Sequence, residues 1–527
     1  MINRRDFFKT AFVGTVGIGV LKTNGFSLFA KEASKALVFG EGNHPMKNDS
    51  HPMDIIRYWE NVSQEDMDLY ESALKVFEKD PKSASYAELI EDKAYLKQLE
   101  NYDRKLLGKP MLANLRRDTV SLWLRTIKPQ KVQVEYTDGS ETMLSEVYET
   151  SVAQDLAVAI ELKNLKSDKK YSYTIIIDGE KYREENFFFN SLPSGDKLRV
   201  AFGTCPHRWG LGNAKLFESI NKRKPSIMLL YGDIAAQGKN NKLGLHRADY
   251  LLRDFQSVWS NFVCNIPVYA NWDDHDYFSN DKSGIPNGYT DKDRRGVRQI
   301  FVNSWSNPYY GNGDEGIYTS FSLGDCDVIM TDNRYFREGE PTPTRNKKTG
   351  KIDEKALERS KTIKKEFLGK MQMQWLKDEL TKAKGKFVIL TCGTMWSDYV
   401  SGGKDSWGIY DPEGREEIYK LIEEKGIAGV LLLSGDRHGA RVFSIDRKGF
   451  KLYEFGMASL GARICGGVGN KQWQEQLFNK QGIFAFGEFN FDMQEGNESV
   501  ELNIIGEEGD ILFNHKFSRK ELSPPKA

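Results

Sequence analysis

The chain has 527 residues, too many for one ordinary hydrophobic core, so two or three domains are expected. Lys plus Arg and Asp plus Glu stand at 75 each, a balance that excludes the bulk positive field of a nucleic-acid-binding protein and predicts no stable nucleic-acid partner. Five cysteines, at 205, 264, 326, 392 and 465, are too few and too scattered for a disulfide framework.

In chain order, the first element is a targeting segment. Arg4 and Arg5 precede a weakly apolar, Gly-rich run from Ala11 to Leu21. That run is too short for a bilayer, which demands about twenty residues. The pattern fits a twin-arginine export signal over residues 1–36. It predicts a periplasmic or secreted protein that engages the twin-arginine export machinery. From 37 to 109, apolar positions recur three and four apart (Leu69, Ala73, Leu74, Phe77), which predicts amphipathic packing helices. Between 110 and 192, β-branched and aromatic residues alternate along 119–125, 131–136 and 171–177, with Asp138-Gly139 and Asp178-Gly179 as turns. Short strands at this spacing predict a small all-β sandwich.

From 193 to 515 the pattern is α/β. Strands are expected at 198–203, 227–231, 266–270, 327–330, 387–390 and 430–433. Helical segments are expected near 214–222, 244–262, 355–383 and 412–425. Later strands, including 499–505 and 510–513, should extend the same sheet system. Residues 338–362 have the composition of an exposed loop, and 516–527 form a tail.

The chemistry sits just after the apolar runs. Ligands of open α/β sheets collect beyond the carboxyl ends of the strands. Here Cys205, Asp233, the Asp273-Asp274-His275 run, Asp436 and His438 all fall at such ends. Adjacent acids repel unless a cation neutralises them, and carboxylate, imidazole and thiolate together make a metal site. The bland alternatives are a turn-capping aspartate, a solvated acidic turn, a structural histidine and an inert buried cysteine. A serine hydrolase finds no support, because no Gly-x-Ser-x-Gly elbow stands near a strand end.

The ordered set Gly203-Thr-Cys205, Tyr231-Gly-Asp233, Trp272-Asp-Asp-His-Asp-Tyr277 with Asn280-Asp281, Thr331-Asp-Asn-Arg-Tyr-Phe-Arg337, Asp405-Ser-Trp-Gly-Ile-Tyr410 and Ser434-Gly-Asp-Arg-His438 resembles the alkaline phosphatase D (PhoD-like) family of calcineurin-like metallophosphoesterases, over roughly residues 110–515. The resemblance implies a layered metallophosphoesterase-type β-sandwich flanked by helices over 193–515, preceded by a small all-β sandwich domain. It implies Cys205, Asp233, Asp274, Asp436 and His438 as metal ligands, with Asp233 bridging, and Asn280 as a further cation or phosphate contact. His275 falls where a catalytic histidine contacts substrate or protonates the leaving oxygen, and Arg334 where a guanidinium grips phosphate oxygens. The implied activity is hydrolysis of phosphate monoesters or diesters by metal-bound hydroxide, on a small-molecule, glycan or nucleotide phosphate, in a monomer. Known members use iron with calcium. They usually carry a tyrosine three residues after the bridging aspartate, and Ala236 stands there in this chain. That counts against Fe3+ and leaves divalent ions, Ca2+ first, with Gln237 and Asn240 as nearby oxygen donors. It also leaves open a catalytically degenerate protein of the same fold that binds a phosphorylated or sulfated glycan.

Overall fold

The computed structural model describes residues 46–525, apart from 48, 60–61, 183–186, 339–353, 355–357, 359–364, 398–404 and 462–474. The export signal expected at 1–36 and most of the loop expected at 338–362 lie outside the described residues. Among the described residues, no helix is long and apolar enough to cross a membrane.

The apolar runs form the expected strands, and they fall into two sheets. In the first, Lys197–Gly203, Ile227–Tyr231 and Val268–Asn271 run parallel, with Phe202 opposite Leu229 and Tyr231 opposite Asn271. In the second, Cys326–Met330, Phe387–Cys392, Val430–Ser434 and Phe450–Ala458 run parallel in that order. Every residue of Ile227–Tyr231 is buried, as a strand covered on both faces requires. Alternation splits its side chains between two cores. Leu229 and Tyr231 join Val328, Met330, Ile389, Leu431 and Leu433 between the sheets. Met228 and Leu230 face outward onto Leu216, Phe217, Phe262 and Val263 of the flanking helices. On the second sheet, Val388, Leu390 and Leu432 meet Leu376, Leu380, Ile418 and Ile422 in the same way. The result is helices, sheet, sheet, helices: the layered β-sandwich expected for this part of the chain.

Helices Ala214–Arg223 and Pro412–Lys425 stand where periodicity puts them. The segment expected near 244–262 divides into Leu243–Phe255 and Ser257–Val263. Gln256 leaves helical geometry at the break, and its side chain caps the second helix by accepting from the Val258 and Trp259 amides. Of the segment expected near 355–383, the helix Gly369–Lys382 is described. The early helices Pro52–Tyr58, Gln64–Lys79, Tyr86–Leu89 and Lys93–Tyr102 are packing elements, with Leu69, Tyr70, Ala73 and Phe77 against Ala248, Leu251, Leu252 and Phe255.

The β-rich region supplies strands to two sheets. Lys131–Thr137 and Lys170–Ile177 centre a six-stranded sheet. Met111–Ala113, Val120–Arg125 and Ala157–Leu162 instead extend the first large sheet, through Ala113 paired with Val268. Further ties cross the same junction. Tyr269 donates to the Leu115 carbonyl at 2.6 Å and Tyr173 to the Cys264 carbonyl at 2.9 Å. Arg125 pairs with Asp254 at 3.0 Å, both buried. At the opposite edge Ala485–Asp492, Ser499–Gly506 and Ile511–Ser518 add antiparallel strands beside Lys197–Gly203, as expected of the C-terminal segment.

Candidate metal centre

Loops leave the parallel strands of both sheets at one rim. Four non-glycine residues there adopt left-handed backbone: Cys205 (φ 55°), His207 (φ 49°), Asp233 (φ 53°) and Asp436 (φ 63°). For cysteine and histidine this conformation is uncommon, and it persists only where surrounding contacts hold it. Those contacts are visible. The Cys205 amide donates to the Gly232 carbonyl and the His207 amide to the Asp233 carbonyl, both at 3.0 Å. Gly232 has φ 134°, and a Cβ on it would lie 2.6 Å from the Cβ of Asp273, so glycine lets two acidic loops close on each other. Asp276 fastens the next stretch by accepting from the Ile234 and Ala235 amides at 3.0–3.1 Å.

The side chains gather into two donor groups. Cys205, His207 and His438 bring ligand atoms within 4.8 Å of one another, and Asp233, Asp274 and His275 do the same. Asp233 joins the groups. Its Oδ2 lies 3.8 Å from Cys205 Sγ and 3.5 Å from His207 Nε2, while its Oδ1 accepts from the His275 amide at 3.2 Å. The expected Cys205, Asp233, Asp274, His275 and His438 therefore converge. Asp436 shares their electrostatic neighbourhood: burial and the carboxylates of Asp405, Asp274 and Asp273 push its pKa well up. Asn280 is exposed, and what its turn contributes is the Asp281 amide, which donates to Asp274 Oδ2. Of the suggested auxiliary oxygen donors, Asn240 Oδ1 is taken by Ser279 and Tyr289, whereas the buried side-chain carboxamide of Gln237 has no hydrogen-bond partner.

Arg334 differs from expectation. It is fully buried, with its Nε on Asp273 and its Nη1 and Nη2 on Asp405 at 3.2 and 2.7 Å. Arg337 also binds Asp405, at 2.6 Å, and Asn333 donates to Asp273 at 2.7 Å. Both edges of the Arg334 fork are occupied, so its visible work is to hold Asp273 rather than to receive a phosphate. Arg334→Ala would leave two buried carboxylates short of their countercharge. The expected cost is about 3–5 kcal/mol of folding stability, measurable by denaturant titration.

His207 is the rim residue that motif reading overlooked. It lies in the Cys205-Pro-His207 stretch directly after a strand, and that position was the available signal. Among the buried polar atoms, Asp273 Oδ2, Asp274 Oδ1 and His275 Nδ1 have no hydrogen-bond partner. Burial and the neighbouring acids raise the pKa values of Asp273 and Asp274, against the pull of Arg334 on the first and His275 on the second. Burial, with Asp233, takes Asp276 up to about 8. Buried acids pressed this way, with one oxygen each of Asp273 and Asp274 left without a partner, fit cations at the rim.

The sign of the pH effect follows. A carboxyl with a raised folded pKa keeps its proton after the unfolded chain has lost it, so stability falls as pH climbs from about 4 towards the Asp276 value of about 8. Metal-free protein should therefore melt at progressively lower temperature across that interval. Divalent ions should raise Tm by a margin that widens with pH. Melting with and without chelator at several pH values checks this.

The four-layer fold, with its donors at one rim, defines the class as metallophosphoesterase-type. The model of the PhoD-like phosphatase family matches residues 201–502. The chain belongs to that family. A domain of unknown function, DUF7800, matches residues 103–188, the β-rich region. Alkaline phosphatase D of Bacillus subtilis (strain 168) is 24% identical over 255 residues, which is 44% of this chain and 41% of that protein. The matched part is thus less than half of that relative's length. A solved structure of PhoD superposes with a TM-score of 0.62 at 17% identity, over 79% of this chain and 93% of the other, a likeness of fold.

Proposed function

We propose that this protein hydrolyses phosphate esters at a cation centre organised around Asp233. The observation that carries the reading is the Asp233 carboxylate itself, whose two oxygens touch the two donor groups. Bound cations would supply Lewis acidity towards phosphoryl oxygens and a water whose pKa falls to about 7. Cys205 and His438 would hold one ion and Asp274 the other, each sharing Asp233. The oxygen-rich second half suits a hard divalent ion such as Ca2+.

His275 is the proton carrier of this reading. Burial works against its charged form, but Asp274, Asp233, Asp273 and Asp276 outweigh that and hold its pKa above the usual histidine value. A protonated imidazole beside the ions can donate to the leaving oxygen. Arg334 and Arg337, through Asp405 and Asp273, keep the acidic loop in place. A monomer is the working unit of this reading. The paired arginines at the start of the sequence support export to the periplasm or beyond, and a twin-arginine-to-lysine variant that stays inside the cell would bear that out.

The test combines elemental analysis of the purified full chain with turnover of nitrophenyl phosphate and bis-nitrophenyl phosphate. Turnover that disappears with chelator and returns with metal is expected, and the preferred ester separates monoesterase from diesterase. Bound metal with no turnover on either ester would sink the reading and favour a glycan-phosphate binder of the same fold.

A further inference from the structure

We infer that His207 is a direct metal donor, which makes the sulfur-bearing half of the centre a Cys205–His207–His438–Asp233 set that selects a borderline transition ion, zinc or ferrous iron, over calcium. The inference rests on the rim being a cation centre and adds the identity of one donor and the class of one ion.

The distances carry it. Bonds of about 2.0–2.3 Å from nitrogen, oxygen and sulfur to one ion leave neighbouring donor atoms about 3.3–3.8 Å apart. Asp233 Oδ2 lies 3.5 Å from His207 Nε2 and 3.8 Å from Cys205 Sγ. Ligand atoms of Cys205, His207 and His438 lie within 4.8 Å of one another. A simple His–Asp ion pair would account for the first distance alone. It would not bring a thiol to the same oxygen, nor a second imidazole within reach of that thiol. The three residues that follow Asp233 are Ile234, Ala235 and Ala236, all buried and none able to ligate, so the Asp233 loop offers no competing side chain there. The backbone instead delivers His207 to that oxygen, through its amide bond to the Asp233 carbonyl.

Ion choice follows from donor chemistry. One thiolate and two imidazoles suit zinc or ferrous iron, whereas calcium takes oxygen donors. The neighbouring group, with Asp233 and Asp274, has the harder donors.

X-ray absorption on the zinc-loaded full-length wild type should show one sulfur and two imidazoles around the ion. Cobalt-loaded protein should carry a sulfur-to-cobalt band. His207→Ala should keep that band, shift the visible bands, and weaken Zn2+ binding by about 100-fold or more, beyond the cost of an outer-sphere partner. A single imidazole around the zinc would overturn the proposal, as would a His207→Ala variant with wild-type zinc affinity and spectrum. The wild-type absorption measurement decides the matter even if the variant does not fold. Zinc held by this set in a protein that turns over no ester would leave the inference standing while the hydrolase reading fell.

Discussion

Asp233→Ala is expected to abolish ester turnover and to release ions from both halves of the centre, while the two sheets still form. The reason is geometric. One oxygen of Asp233 faces Cys205 and His207, and the other takes the His275 amide, so a single truncation strips a donor from each group. The loss in kcat/KM should exceed about 100-fold, the upper cost of removing a partner that only supports a ligand. Metal per chain and kcat/KM, measured on the same preparation, are the readouts. Asp233→Asn is the useful companion, because it keeps the shape and one oxygen but loses the charge. Retention of both ions and of activity within about ten-fold in the alanine variant would mean that no ion depends on Asp233.

For His275→Ala the expected result has a different form. It should lower kcat by about 10²–10⁴, the usual worth of a positioned acid, with the ions retained. The deficit should shrink on esters whose leaving groups need no proton, such as nitrophenolate, and grow on alkyl phosphates. Such a split is the signature of proton donation. His275 also stands within ligand distance of Asp233 and Asp274, so the opposite outcome is concrete. An equal deficit on every ester, together with loss of an ion, would make it a donor rather than an acid.

The parallel strands were readable because their apolar runs are unbroken and both faces are covered. Their ends were readable because Gly232-Asp233 and Asp273-Asp274-His275 put polar groups where the chain leaves the sheet. What escaped was long-range. Arg334 looks like a phosphate grip until Asp405, 71 positions away, is seen closing its fork. His207 has its place just after a strand as its one local signal, and its value comes from a backbone bond to Asp233, 26 residues on. The β-rich region shows the same limit. Alternation marks 119–125 as a strand, but nothing local says that Met111–Ala113 lies beside it and ties it to Val268. Gln256 is a smaller case, since the break it makes at 256 depends on a side-chain cap.

That pairing of Ala113 with Val268 has a practical meaning for anyone who wishes to shorten the chain. Val268–Asn271 leads directly into Asp273, Asp274 and His275, and among the described residues the β-rich region is its neighbour on that flank of the sheet. A fragment begun at residue 193 would bare unsatisfied amides and carbonyls one step from the Asp273–His275 loop, and such margins recruit other molecules. It should emerge from expression as aggregate, whereas a version begun at residue 46 keeps both that margin sealed and the early helices over Leu251 and Phe255, and offers the better starting point for crystallography.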